Sequence, residues 1–273
     1  MATAYDVAKR ATEVFCTFTD EKPNLVDLGI PAVADVVGGM GPGTLCCLAA
    51  ATGVGKSNFS LSMLTNSRHV GAYLSCEDPE DLIGVRLLAQ ETGIRALDIR
   101  KDNLTPEQRK SVREALERLR DRKPIFESLV SAPLDKVVTA VKRVGDQGAR
   151  FVILDYLQKI RGVSDDRRSE VGHVMTAFQR ACVESKMVPI MASQLVRSDP
   201  TKAPSIRMLK ESGDIENEAR LILLGHQDPD DRKIVRWRIA KSPFGGAGTY
   251  FEYRYNNAGV LEPHNGLEDS GEF

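Results

Sequence analysis

The sequence predicts an α/β fold: a mainly parallel central sheet with helices on both faces, closed by a C-terminal β-hairpin. Three observations predict it. From Thr44 onward, short apolar runs alternate with amphipathic stretches at helical spacing, the pattern of strand, crossover helix and strand. The first of these strands enters its helix through a glycine-rich turn at 50–57. Towards the end, Lys233 to Tyr255 becomes β-like around the turn Pro243-Phe244-Gly245-Gly246.

In chain order, residues 4–18 place Val7, Ala11, Val14, Phe15 and Phe18 at helical spacing, so an amphipathic helix is expected there. A polar linker containing Pro23 follows. Strands are expected at 44–49, 70–75, 125–129, 151–154, 188–192 and 220–225, where β-forming apolar residues run together. Helices fit at 56–65, 79–92, 105–122, 134–147, 168–185 and 214–219. In the third of these, Thr105 can cap, Pro106 suits the first turn and Glu107 favours the positive end of the helix dipole. The residues from Leu261 to Phe273 are acidic and glycine-containing, and an unstructured tail is expected. The organisation is then an N-terminal helix and linker (1–24), one catalytic domain (25–260) and a flexible tail (261–273).

With 273 residues, 42% of them hydrophobic, the chain can bury the core of one α/β domain. Its longest apolar run, Leu45 to Ala51, is far short of the roughly 20 residues of a membrane-spanning helix, so no membrane association is expected. Met1 to Arg10 lacks the basic start and apolar stretch of a secretory signal, and a cytoplasmic location is expected. The five cysteines (Cys16, Cys46, Cys47, Cys76, Cys182) show no metal-ligand spacing and read as buried thiols. His69, His173, His226 and His264 are too scattered to form a ligand set. Net charge is -1, from 37 basic and 38 acidic residues, so no bulk positive field marks a nucleic-acid binder; a local surface or an assembly must concentrate the charge.

Residues 50–57 read Ala-Ala-Thr-Gly-Val-Gly-Lys-Ser, the G-x-x-x-x-G-K-[ST] phosphate loop with alanine in its first place. Gly53 and Gly55 let backbone amides turn inward on phosphates, joined by Ala51, Thr52 and Val54, and the helix N-terminus adds partial positive charge. Lys56 is placed to reach the β- and γ-phosphates of a nucleotide, and Ser57 to hold Mg2+. The second requirement is a carboxylate at a strand end near the metal, and Phe151-Val152-Ile153-Leu154-Asp155 supplies it in Asp155. For the base that activates water, Glu77 at the end of Tyr73-Leu74-Ser75-Cys76-Glu77 is preferred to Asp78 or Glu80; a solvated acidic helix start is the bland reading of the same residues.

Five stretches together resemble the C-terminal motor domain of DnaB-type replicative helicases, in the superfamily with the RecA-like three-layer fold. They are the loop at 50–57, Leu74-Ser75 with Glu77, Asp155-Tyr156-Leu157-Gln158, Ser193-Gln194-Leu195 with Arg197-Ser198, and Leu209-Lys210-Glu211-Ser212-Gly213 with Ile215-Glu216. The resemblance covers residues 25–260. It implies a ring, usually of six subunits, that hydrolyses ATP with Mg2+ between neighbours and moves along single-stranded DNA, unwinding duplex ahead, with primase or a loader as partner. It further implies that Glu77 is the hydrolytic glutamate, Asp155 the magnesium aspartate and Gln194 the sensor of the γ-phosphate. Lys210, Glu211 and Gly213 fall on the segment that contacts the DNA backbone in the family. Arg197, Lys202 and Arg207 could add charge beside it, as could Arg161, Arg167 and Arg168.

Two departures stand out. The family carries a lysine and, two residues on, an arginine that reach a neighbour's γ-phosphate; here Lys241 is followed by Ser242 and Pro243. Either Lys241 suffices, or Arg236 or Arg238 substitutes, or hydrolysis is slow. In place of the family's primase-docking N-terminal domain, only the 4–18 helix is expected, and by similarity it either links adjacent subunits or folds back on its own core. The alternatives to a helicase motor are therefore an accessory ATPase that loads or remodels proteins on DNA, and a nucleotide-dependent scaffold subunit.

Overall fold

A parallel strand covered on both faces must be apolar along its length, and residues 46–50, 151–154 and 188–192 are. The computed structural model describes residues 3–6, 8–9, 25–155, 160, 167–195, 199–209 and 213–268. Nine strands form one sheet: β1 (Cys46–Ala50), β2 (Gly71–Ser75), β3 (Ile125–Ser128), β4 (Phe151–Asp155), β5 (Val188–Gln194), β6 (Leu221–Gln227), β7 (Ile234–Lys241), β8 (Tyr250–Tyr255) and β9 (Leu261–Glu268), in spatial order β3-β2-β4-β5-β1-β6-β7-β8-β9. From β3 to β6 all neighbours pair in parallel, and from β6 to β9 they pair antiparallel. The helices are α1 (Pro31–Val37), α2 (Lys56–Asn66), α3 (Glu80–Thr92), α4 (Ala96–Arg100), α5 (Pro106–Arg122), α6 (Leu134–Asp146), α7 (Arg167–Glu184) and α8 (Gly213–Glu218).

Strand periodicity divides the core into two layers. Leu45, Cys47 and Ala49 face one side, where they meet Val137, Val141 and Val144 of α6 and Val174, Phe178 and Cys182 of α7. Cys46, Leu48 and Ala50 face the other, against Val33 of α1, Phe59 and Met63 of α2 and Ile83 of α3. The result is the three-layer arrangement that the alternation of strands and helices predicts. At Thr105 the expected cap is a full capping box: Gln108 N–H donates to Thr105 Oγ1 at 3.2 Å and Thr105 N–H to Gln108 Oε1 at 2.9 Å.

Every strand and helix expected from Thr44 to Gly225 is present, with ends shifted by a residue or two. Three elements differ from expectation. α1 and α4 are too short for a helical period to show. The tail expected to be unstructured from Leu261 instead forms β9, which pairs with β8 through Tyr255↔Leu261 and Arg254↔Glu262, so the closing hairpin is a three-stranded meander. Val260 and Leu261 are buried, and that anchorage draws the acidic residues behind them into the sheet. Of the helix expected at 4–18, residues 4–6 and 8–9 are helical and the rest lies outside the described residues. Among the described residues no helix is long and apolar enough to cross a membrane.

Candidate functional site

β1 lies at the point where the chain's direction of winding reverses, with β5 on one side and β6 on the other, and clefts in open parallel sheets form at the carboxyl ends of such strands. The chain leaves β1 at Ala50 into a turn that requires glycine. Gly53 sits at φ +83° and Gly55 at φ +110°, and Gly55 caps α2. Packing restricts Gly55 as well, since a Cβ there would lie 1.9 Å from the phenolic oxygen of Tyr255 on β8. The turn leaves the first amides of α2 without carbonyl partners, an arrangement suited to anions. Thr52, Gly53, Gly55, Lys56, Ser57, Asn58, Glu77, Arg86 and Gln194 line the cleft over it. Val54 is wholly buried, so of the loop residues it can offer a ligand its backbone and not its side chain.

Asp155 ends β4, two strands from β1, and is 4% exposed. Ser57 Oγ donates to its Oδ2 at 2.7 Å, the Tyr73 hydroxyl donates to the same oxygen, and Lys56 Nζ lies 3.7 Å from Oδ1. The carboxylate thus joins residues 98 positions apart in sequence. Burial, reinforced by the adjacent Asp155 carboxylate, raises the Tyr73 hydroxyl well above its usual pKa of 10.0, so it remains a donor. Asp155 Oδ1 is buried and accepts no hydrogen bond. A buried carboxylate oxygen without a donor beside a serine hydroxyl is a hard oxygen set, and the residues fit Mg2+.

Glu77 follows β2 and reaches the rim of the cleft. Of the other two acids weighed with it, Asp78 pairs at 2.5 Å with Arg86, which also lines the cleft, and Glu80 accepts from Ser128 N–H at 3.2 Å. Gln194 ends β5 in register with Ala50, and its amide donates to Thr52 Oγ1 at 2.5 Å. The loop, Glu77, Asp155 and Gln194 therefore lie together at one end of the sheet.

Lys241 does not join them. Register runs Cys47↔Ile222↔Lys241, which puts it level with the start of β1, at the end of the strands opposite the phosphate loop. Its Nζ donates to the Glu216 carbonyl at 2.7 Å, at the end of α8. Arg236 is held between Asp228 and Glu252, both at 2.8 Å, and Arg238 lies over the Tyr250 ring.

Lys202 and Arg207 are exposed on a loop that leaves β5 just beyond Gln194 and is closed by the bridge Leu195↔Leu209. Gly213 opens α8, and Arg167 and Arg168 open α7. Arg161, Arg197, Lys210 and Glu211 lie outside the described residues. Sequence reasoning passed over Arg86, Asn58 and Tyr73. Arg86 lies on α3, nine residues beyond Glu77, and reads in the sequence as a surface charge; Tyr73 reads as an ordinary strand aromatic. Burial raises the thiols of Cys47 and Cys76 to about 12, which keeps them protonated and chemically quiet.

Residues 26–251 match the family described as DnaB-like helicase C terminal domain. The replicative DNA helicase DnaB of Geobacillus stearothermophilus is 27% identical over 238 residues, covering 80% of this chain and 52% of the relative. The replicative DNA helicase DnaC of Bacillus subtilis is 26% identical over 247 residues, covering 83% of this chain and 54% of the relative. The chain thus spans about half the length of these curated relatives. Among solved structures, an ATPase domain solved by itself superposes with a TM-score of 0.83 at 20% identity, covering 97% of this chain and 100% of that one. A DnaB-like replicative helicase, solved in a study of its interactions with primase, superposes with a TM-score of 0.80 at 20% identity, over 97% of this chain and 68% of that one. These two show the fold, and the family match over residues 26–251 makes the chain a member of the DnaB-like helicase C-terminal domain family.

Proposed function

We propose that this chain is the ATP-driven motor of a replicative DNA helicase, working in the cytoplasm as a ring, with six subunits the expected number, on single-stranded DNA. The observation that carries the reading is the cluster of Lys56, Ser57 and Asp155 under the phosphate loop, with Glu77 and Gln194 on the rim of the same cleft. In this reading Ala51 to Gly55 and the first amides of α2 hold the phosphates, and Lys56 neutralises the β- and γ-phosphate oxygens. Ser57 and Asp155 hold Mg2+, which supplies charge neutralisation on the phosphates when bound. Glu77 takes the proton of the attacking water, and Gln194, already bonded to Thr52, reports the state of the γ-phosphate to the loop that leaves β5. Lys202 and Arg207, with Arg197, Lys210, Glu211 and Gly213, grip the DNA backbone without reading bases.

Lys241 acts across the subunit boundary, on the neighbour's nucleotide. Its place at the opposite end of the strands supports that geometry, since it cannot reach its own cleft. Primase or a loader protein is the partner proposed; the primase study of the structural neighbour supports the first.

One observation favours a second reading. Pro243 stands where the family's arginine finger falls, and without that cation hydrolysis could serve loading or remodelling on DNA instead of unwinding. Steady-state ATPase rates with and without single-stranded DNA, mass by light scattering in the same samples, and displacement of a tailed strand separate the two. A DNA-stimulated multimer that displaces the strand supports the helicase; stimulation without displacement moves the assignment to the accessory ATPase. A DNA-insensitive monomer removes both.

A further inference from the structure

The metal carboxylate is held from behind by a residue with no place in the phosphate-loop pattern. β2 and β4 pair with Tyr73 level with Ile153 and Ser75 level with Asp155, so Tyr73 lies two residues short of Asp155 on the same sheet face. Two strand residues span about 6.6 Å, a gap that a tyrosine bridges and a shorter side chain does not. The ring is 3% exposed and packs with Phe126 at 6.2 Å between centroids, which fixes where its hydroxyl points. That hydroxyl donates to Asp155 Oδ2, the oxygen that Ser57 also engages, while Oδ1 accepts no hydrogen bond.

We propose that Tyr73 is a positioning residue for Mg2+: by holding Oδ2 it fixes the rotation of the Asp155 carboxylate and presents Oδ1 to the cation. The inference rests on the reading of Ser57 and Asp155 as the metal's residues. Ser57 has to share its hydroxyl between carboxylate and cation, whereas Tyr73, whose hydroxyl also meets that of Ser57, is not among the residues read as holding the cation. A carboxylate with one oxygen fixed loses less freedom on binding a metal than one free to rotate.

The test is Mg2+ titration of binding of a fluorescent ATP analogue to the full chain, for wild type, Tyr73→Phe, Asp155→Asn and the double variant, with Tm recorded for each. Tyr73→Phe should raise the half-saturating Mg2+ about ten-fold, the scale of one charge-assisted hydrogen bond. Nucleotide affinity in EDTA should not change, and in the Asp155→Asn background the substitution should add nothing. An unchanged Mg2+ requirement in folded Tyr73→Phe overturns the proposal, and so does an equal shift in the Asp155→Asn background. If wild-type binding itself is indifferent to Mg2+, the metal assignment fails first, which is a different result.

Discussion

Tyr255 closes the space beneath Gly55: its phenolic oxygen occupies the position where a Cβ on Gly55 would fall, and it reaches the Val54 carbonyl at 3.5 Å. The last parallel-to-antiparallel extension of the sheet thus braces the phosphate loop that the first strand launches. Gly55→Ala should abolish nucleotide binding. Removing the obstacle in Gly55→Ala with Tyr255→Ala should restore little, because φ +110° remains costly for alanine. Equilibrium binding of a fluorescent nucleotide decides it; near-normal affinity in the single variant would show that the loop tolerates another conformation.

Lys56→Ala should reduce hydrolysis below detection, because it removes the cation between Asp155 and the phosphates. Glu77→Gln should instead bind ATP with affinity close to wild type and turn it over at least about 100-fold more slowly, the lower range for a general base. Binding and single-turnover hydrolysis measured on the same preparations separate the two roles. Normal turnover in Glu77→Gln would point to another base.

The position of Lys241 makes a composite site testable by mixing. Lys241→Ala should lose activity by up to about 10³-fold and Lys56→Ala all that can be detected, yet a mixture of the two should regain part of it. In the mixture an intact Lys241 faces an intact phosphate loop at some boundaries. To reach a phosphate, Lys241 must also give up the Glu216 carbonyl, so α8 should become more open to hydrogen exchange with nucleotide bound. Wild-type turnover by Lys241→Ala alone would remove it from the site.

Phe59, on α2, stacks on Trp237 at 4.2 Å and meets Tyr253 edge-on at 5.0 Å, so the helix that carries Lys56 and Ser57 is seated on aromatic rings of β7 and β8. Phe59→Ala should cost about 3–5 kcal/mol of stability, by denaturant unfolding. The chain has one tryptophan, so its fluorescence should report both unfolding and ligand-induced movement of α2. A loss under about 1 kcal/mol would mean the rings repack around the gap.

His226 is buried, and desolvation, with Arg236 opposite it in register, lowers its pKa below 6.5. The unfolded chain then takes up the proton first as pH falls, so this stability is present above about 6.5 and is lost below it. Tm should decline from pH 7 to 5.5, and His226→Gln should decline less. Parallel declines would assign the slope elsewhere, with His69, also lowered mainly by burial, the next histidine to test.

Local chemistry made much of this protein legible in its sequence. Gly53, Gly55, Lys56 and Ser57 announce a phosphate loop because few other uses require that order, and buried parallel strands show as apolar runs such as 151–154 because both their faces are covered. A strand such as β9, with Leu261 buried at its start and charges behind, carries no such signal, and the short helices α1 and α4 hold too little periodicity to be read.

What pairs with what was decided by tertiary structure. Asp155 is recognisable as a strand-end acid, but its contact with Ser57 depends on β4 lying two strands from β1, and its hold on Tyr73 depends on the register of β2. Nor could sequence say that Lys241 faces away from its own cleft, since that follows from the antiparallel turn of β7 against β6. The sequence by itself determined the chemistry of the groups and the strands and helices that carry them; hydrogen bonding between distant strands, which depends on the packing of both faces of the sheet, determined which of those groups meet.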